Sequence, residues 1–457
     1  MNKLLKTTLF LGCFLIGTVL FAQFENAEVL GTVHDPSGAA VPKATVTLTN
    51  QDTAIKVQTS TDDNGNYDFF NVKVGRYAIL VEHAGFSKFT TMDVAVNVGA
   101  RQRVDVSMQV GAVTESVEVK GVAAALDTDS SEHGQVISTG AIAELPLNGR
   151  NYADLALLST NAVKSPISAT FSATGTPREG AFNVNGMRST YNNFLLDGLD
   201  NNAYGTSNQG YSAQLVQLNP DAIAEFKVIT SNYSAEYGRV GGAVVNAVMK
   251  SGTNEFHGSA YWYVRNTALN ATGFLFSPSV FVKPTLQRNQ FGATIGGPIV
   301  KNRLFFFGDY EGFRQLQRYL NFDSIADASD RLGILPVPVV DPLTGVVYPA
   351  NTKIPVATLN PFANTVLTGL PPTNNSGCST VGSSALATSC RSNNDEALLL
   401  IRDYGDKFDA KVDGQINDHM TAFLRFSQRK DLQYYAPDLT GPSGGDGNGY
   451  IHVVDQN

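Results

Sequence analysis

The sequence predicts a mainly β protein in three parts: a small antiparallel β-sandwich, a mixed α/β unit, and the first strands of an incomplete transmembrane β-barrel. Three observations predict it. Short alternating runs divided by turn clusters fill residues 28–110, the signature of a small sandwich. Residues 243–249, Ala-Val-Val-Asn-Ala-Val-Met, are apolar on both faces, the pattern of a strand covered on both sides. After a break at Ser251-Gly252-Thr253-Asn254 the pattern changes. Phe256, Gly258, Ala260, Trp262 and Val264 share one face; His257, Ser259, Tyr261, Tyr263 and Arg265 share the other. About ten residues of strict period two match one tilted membrane-spanning strand.

Composition agrees with a β-rich chain partly in lipid. Of 457 residues, 43% are hydrophobic and 16% charged, with 42 Gly and a net charge of -8. Mild acidity without a Lys/Arg cluster argues against a nucleic-acid partner, because phosphate binding needs a basic surface. No apolar run of about 20 residues follows the N-terminus, which argues against membrane-spanning helices. Alternating barrel strands carry no such run and stay possible.

In chain order, residues 1–22 read as a secretory signal: Lys3 and Lys6, then Leu9 to Phe21, then a cut near Ala22. Cys13 lies inside the apolar stretch, and leucine-rich sequence past it argues against a lipidated cysteine. The sandwich, 28–110, has runs at 29–33, 44–49, 77–81, 94–98 and 104–110. Asp62-Asp63-Asn64-Gly65 reads as a hairpin turn rather than a calcium loop, since it lacks alternating ligands. Residues 111–140 form a linker containing Thr114-Glu115-Ser116-Val117-Glu118-Val119, an extended segment. The mixed unit, 141–253, has short helices at 139–145 and 152–158, and strands at 181–184, 193–196, 226–230 and 243–249.

From 254 to 457 five strands are expected, at 255–265, 286–299, 303–314, 402–416 and 420–431. Phe305, Phe307, Tyr310 and Phe313 are candidates for an aromatic girdle at a membrane interface, or else for core packing. Residues 320–396 form a long Pro- and Asn-rich loop, a length that is usually functional. Even the smallest outer-membrane barrels need about 8 strands, so five cannot close, and the sequence is expected to be the N-terminal part of a longer protein.

Several motifs carry a family resemblance. Ile223-Ala224-Glu225-Phe226, Tyr237-Gly238, Gly241-Gly242, Lys250-Ser251-Gly252-Thr253-Asn254, Asn193-Phe194-Leu195-Leu196-Asp197-Gly198 and Glu144 to Asn151 stand in order over roughly 120 residues. Together they resemble the plug-to-barrel passage of TonB-dependent outer-membrane receptors. In the sandwich, Gly31-Thr32-Val33, Gly38 to Pro42, Ala44-Thr45-Val46 and Asn64-Gly65-Asn66-Tyr67 resemble the carboxypeptidase regulatory-like (transthyretin-like) domain. Peptidase activity does not follow: none of His34, His83, His133, His257, His419 and His452 has a Glu three residues on, as a zinc site of that type requires.

The resemblance implies a receptor and transporter in the outer membrane, its N-terminal domain in the periplasm, with no bond-making chemistry and no cofactor. It implies as partners a TonB-type energy-coupling protein, outer-membrane lipid, an extracellular ligand of unknown identity and an outer-membrane lipoprotein. Residues 114–119 become candidates for TonB contact by strand pairing, which uses main-chain bonds and leaves little side-chain signature; the same residues also suit a linker or a last sandwich strand. Arg150, Asn151, Asp197, Asp200, Asn201 and Asn202 become plug-loop ligand candidates, although the Asp and Asn residues fit turns equally. Cys378 and Cys390, alone after signal removal, suit a loop disulfide in an oxidising compartment, with a metal pair as the alternative. Closing that loop would contribute roughly 2–3 kcal/mol. A cell-surface adhesion or carbohydrate-binding protein is the alternative function, and a secreted enzyme with an accessory sandwich a third; no convergent acid, base or metal residues support the last.

Overall fold

The computed structural model describes residues 27–111, 116–119, 129–165, 182–203, 214–238, 240–271, 283–358, 360–374, 393–417, 420–437, 439 and 450–456. The expected signal segment 1–22, Thr114, Glu115, Cys378 and Cys390 lie outside these residues.

The N-terminal sandwich is built from β1 (Ala27–His34), β2 (Thr45–Asn50), β3 (Lys56–Ser60), β4 (Asn66–Val72), β5 (Gly75–Glu82), β6 (Lys88–Val96), β7 (Arg101–Arg103), β8 (Val106–Ser107) and β9 (Ser116–Val119). One sheet runs β4-β1-β7, with β8 also on β1; the other runs β3-β2-β5-β6-β9. Strict alternation along β1 and β5 turns every second residue inward. Val29, Val33, Val46, Leu48, Ile79, Val81 and Met108 thereby meet in one apolar core between the sheets. Most pairs are antiparallel, but β7 and β8 run parallel to β1, and β9 parallel to β6. The chain reaches β7 by crossing from the opposite sheet, so it arrives on β1 in the same direction.

The Asp62–Gly65 turn differs from the hairpin expected there. It links β3 to β4, which belong to different sheets. The Asp62 carboxylate accepts from the Asn64 and Asn66 amides at 2.9 and 2.7 Å, and Gly65 takes a φ of +78°. Side-chain bonding to the following backbone shapes this turn whether or not the flanking strands pair.

The central unit holds β10 (His133–Ile137), β11 (Ala162–Lys164), β12 (Phe182–Val184), β13 (Asn193–Leu196), β14 (Leu199–Asp200), β15 (Ile223–Ser231) and β16 (Val244–Met249). Five of these form a sheet ordered β10-β15-β16-β13-β14. β16 is buried along its whole length, as its two apolar faces require. A helix at Thr139–Glu144 and 3-10 turns at Tyr152–Leu158 and Pro220–Ala222 cover the sheet. The second expected helix is thus 3-10, started by Asn151, whose side chain accepts from the Ala153 amide. Phe182, Phe194, Phe226, Leu196 and Met249 fill the core beneath.

The third part is one antiparallel sheet of six long strands: β17 (His257–Asn266), β18 (Leu286–Val300), β19 (Leu304–Asp323), β22 (Asp395–Asn417), β23 (Met420–Tyr435) and β24 (Tyr450–Gln456), in that order. Two small strands, β20 (Val339–Val340) and β21 (Val347–Tyr348), pair within the intervening loop. Among the described residues the sheet does not close, β17 and β24 being its edges.

Two sequence expectations change here. The strands are longer and, among the described residues, number six. Apolar alternation stops near residue 313 because outward residues turn charged, as in the exposed pair Arg314–Asp406 at 2.8 Å. The backbone ladder nevertheless continues to Asp323↔Asp395. Phe305 and Phe307 also leave the girdle: they are 0% and 1% exposed and face the central unit, Phe307 joining its core. Phe313 shares their side of the strand, while Tyr310 points outward beside Phe291. The two-sided pattern of β17 holds, with Trp262 at 70% exposure on the outer face and Tyr261 turned inward to Glu311.

Candidate functional site

The inward face of the long strands is polar and buried. Arg288, Gln290, Asp309, Glu311, Asp409, Lys411 and Asp413 all lie there, almost without exposure. Buried charges persist only when paired, and the central unit supplies charged partners at two places, besides the Asn219 amide that donates to Asp309.

Arg150 makes the first. Its guanidinium stacks over the rings of Tyr261 and Tyr263 at 4.2 and 4.5 Å, pairs with Asp221, and reaches Glu311 at 3.4 Å. Glu311 also accepts from the Tyr261 hydroxyl at 3.0 Å. Arg150 reaches this position from a left-handed backbone (φ +54°) directly after Gly149, itself at +94°. Asn151 is spent locally, accepting from the Ala153 amide and donating to Asp154 at 3.0 Å.

Asp197 makes the second. It ends β13 with φ +49° and is fully buried. Its carboxylate accepts from the Met249 amide at 2.9 Å, from Lys411 Nζ of β22 at 2.9 Å, and from the Arg425 guanidinium of β23 at 2.8 Å. The neighbouring candidates serve the turn. Asp200 accepts from the Asn202 amide at 2.9 Å, Asn202 accepts from the Phe194 amide at 3.0 Å, and buried Asn201 trades two bonds with the Val216 backbone. The six candidates thus fall into two clusters on different barrel strands, Arg150 and Asn151 in one, Asp197 and Asp200 to Asn202 in the other.

The partners Glu311, Lys411, Arg425, Asp221 and Tyr261 were not singled out from sequence. A signal existed: Asp409, Lys411 and Asp413 recur at every second residue on a membrane strand, which marks an inward polar stripe.

Ser116–Val119 forms β9, parallel to Lys88–Thr91 of β6 at the end of its sheet. This part of the TonB-contact candidate segment therefore occupies a sheet edge of the sandwich.

Three family models match successive parts of the chain: a carboxypeptidase regulatory-like domain over residues 28–109, a TonB-dependent receptor plug domain over 128–245, and an outer membrane beta-barrel domain over 248–457. The chain thus carries the plug domain of TonB-dependent receptors ahead of an outer-membrane beta-barrel domain. It is 28% identical over 327 residues to the TonB-dependent transporter Oar of Myxococcus xanthus, a match covering 68% of this chain and 29% of that protein. The chain thus spans less than a third of the length of the curated relative it matches. Among solved structures, similarity is found to the outer membrane transporter YddB from Escherichia coli, at TM-score 0.41 and 13% identity over 66% of this chain and 33% of that one. The siderophore receptor PirA from Acinetobacter baumannii aligns at TM-score 0.35 and 16% identity, over 74% and 45% respectively.

In family terms the central sheet is the plug and the six-stranded sheet is barrel wall. The receptor resides in the outer membrane with the sandwich in the periplasm, and its family consists of transporters and receptors rather than enzymes.

Proposed function

We propose that this receptor takes up a ligand across the outer membrane and is energised through a TonB-type protein. The observation that carries the reading is the way the plug sits against the barrel wall. Its charged contacts, Asp197 with Lys411 and Arg425 and Arg150 with Glu311, are polar, so a pull on the plug can exchange them for water, with Phe307 the wall side chain that must leave the plug's apolar core. In this reading the extracellular ligand meets the outer loops and the plug loops that carry the candidate residues. The coupling protein pairs with the segment 114–119, and lipid and an outer-membrane lipoprotein contact the outer surface. Cys378 and Cys390 would brace the long loop as a disulfide.

Deletion of residues 114–119 tests it, with a panel of labelled ferric siderophores, glycans and peptides offered to cells. Uptake of the accepted probe is expected to vanish while its surface binding persists. Uptake that survives the deletion but not removal of the host TonB protein would sink only the coupling segment. Uptake that survives both would sink energised transport.

A further inference from the structure

Three turns from one end of the sandwich rest on the rest of the molecule. The β2–β3 turn accepts a bond from the Asn254 amide through the Asp52 carbonyl at 3.0 Å. The β4–β5 turn sends Lys73 to Asp413 of β22 at 2.5 Å, and Asp413 also accepts from Ser251. From the β6–β7 turn, the Val98 amide donates to Glu225 of β15, while the Gly99 carbonyl accepts from Lys227 of the same strand at 3.0 Å. Lys227 is further paired with Glu132 at 2.9 Å.

The three feet stand on three different things. Asn254 lies in the passage from plug to barrel, Asp413 is barrel wall, and Glu225 and Lys227 belong to the plug strand between β10 and β16. Between the first two feet lies a cavity of about 250 Å³ lined by Phe69, Lys73, Tyr77, Lys250, Phe305 and Asp413. The apolar cores of sandwich and plug are separate clusters. Polar feet around a hollow make a contact that separates without unfolding either side, because neither apolar core is shared across it.

We propose that the sandwich is a releasable brace: a rigid body that clamps plug strand β15 to barrel strand β22, so that the plug moves only once the sandwich unseats. The brace assigns the periplasmic domain a role in holding the plug, and it stands whether or not the receptor transports.

Two reporter protons sit in the seat itself, the amides of Val98 and Asn254, each bonded across it. Amide hydrogen exchange of the protein in outer-membrane vesicles reads them directly. Lys73→Ala removes only the barrel foot. If the three feet act as one body, both reporters exchange about tenfold faster although neither touches Lys73, while amides of β2 and β5 keep their protection. Lys73→Arg keeps the cation and is expected to keep the protection. Unchanged exchange at Val98 and Asn254 in Lys73→Ala would overturn the brace. So would loss of protection in Lys73→Arg as full as in Lys73→Ala, or a loss that extends equally to β2 and β5.

Discussion

Two carboxylates hold the plug by opposite physics. Asp197 is held by its neighbours' charge: two cations and a backbone amide converge on it with no solvent access. Asp197→Ala strands Lys411 and Arg425 and is expected to cost about 3–5 kcal/mol, as removal of one partner of a buried pair does; urea denaturation measures it. Glu225 is the reverse case. Burial under the sandwich pushes its carboxyl from an ordinary 4.5 up to about 7, partly offset by the Val98 amide. The charged groups around it are Lys227, on the same face of the strand, and Glu132, paired to Lys227. A carboxyl whose seated value is raised favours the seat fully below pH 4.5 and loses that contribution as pH climbs through 7. Glu225→Gln, neutral throughout, should match the wild type in Val98 amide exchange at pH 4.5 and exchange more slowly than it at pH 8. Faster exchange of the variant at pH 8 would contradict the assignment.

Strand β15 ties the plug together from its apolar side. Phe226 is fully buried and meets Tyr152 edge-on, ring centroids 5.3 Å apart. Phe226→Ala should lower stability by about 3–5 kcal/mol through the cavity it leaves, seen as a lower denaturation midpoint. The passage from β16 to β17 is as constrained. A Cβ on Gly252 would lie 2.4 Å from the carbonyl oxygens of both Gly297 and Phe306. Those atoms are backbone and cannot step aside, so Gly252→Ala is expected to cost at least about 1–3 kcal/mol and to reduce the heat-resistant fraction on cold gels. The elements themselves were largely legible: β1, β5, β13, β16 and β17 follow from alternation or unbroken apolar runs. β3 was not, since Lys56–Ser60 is exposed along nearly all its length and bears no apolar stripe. The Asp62 turn misled because its own side-chain bonds are identical whether it joins paired strands or crosses between sheets.

At the scale of the molecule, the barrel wall divides two solvents. Its outer face carries Trp262, Phe408, Phe426 and Leu424, its inner face acids and bases. Phe426→Arg, placing a charge on the lipid face, is expected to destabilise the wall by up to about 2–4 kcal/mol, measured by urea denaturation in vesicles. The clusters of the candidate site were legible on one side only. Arg150 and Asp197 stood out in motifs, but their charged partners on the barrel wall lie more than 160 residues later, as Arg150–Glu311 and Asp197–Arg425 separations of 161 and 228 show.

What the sequence determined by itself was the order of the three parts, the two faces of β17 and the membrane-strand pattern, because side-chain period and turn chemistry are local properties of the chain. What only the tertiary structure decided was pairing across distance. It showed that Phe307 belongs to the plug core and Phe305 to the cavity under the sandwich rather than to lipid, that Asp197 is paired with two cations, and that three sandwich turns stand on plug, passage and wall. The physical reason is that burial and ion pairing depend on which surfaces meet, and a strand with two faces does not by itself specify what each face will touch.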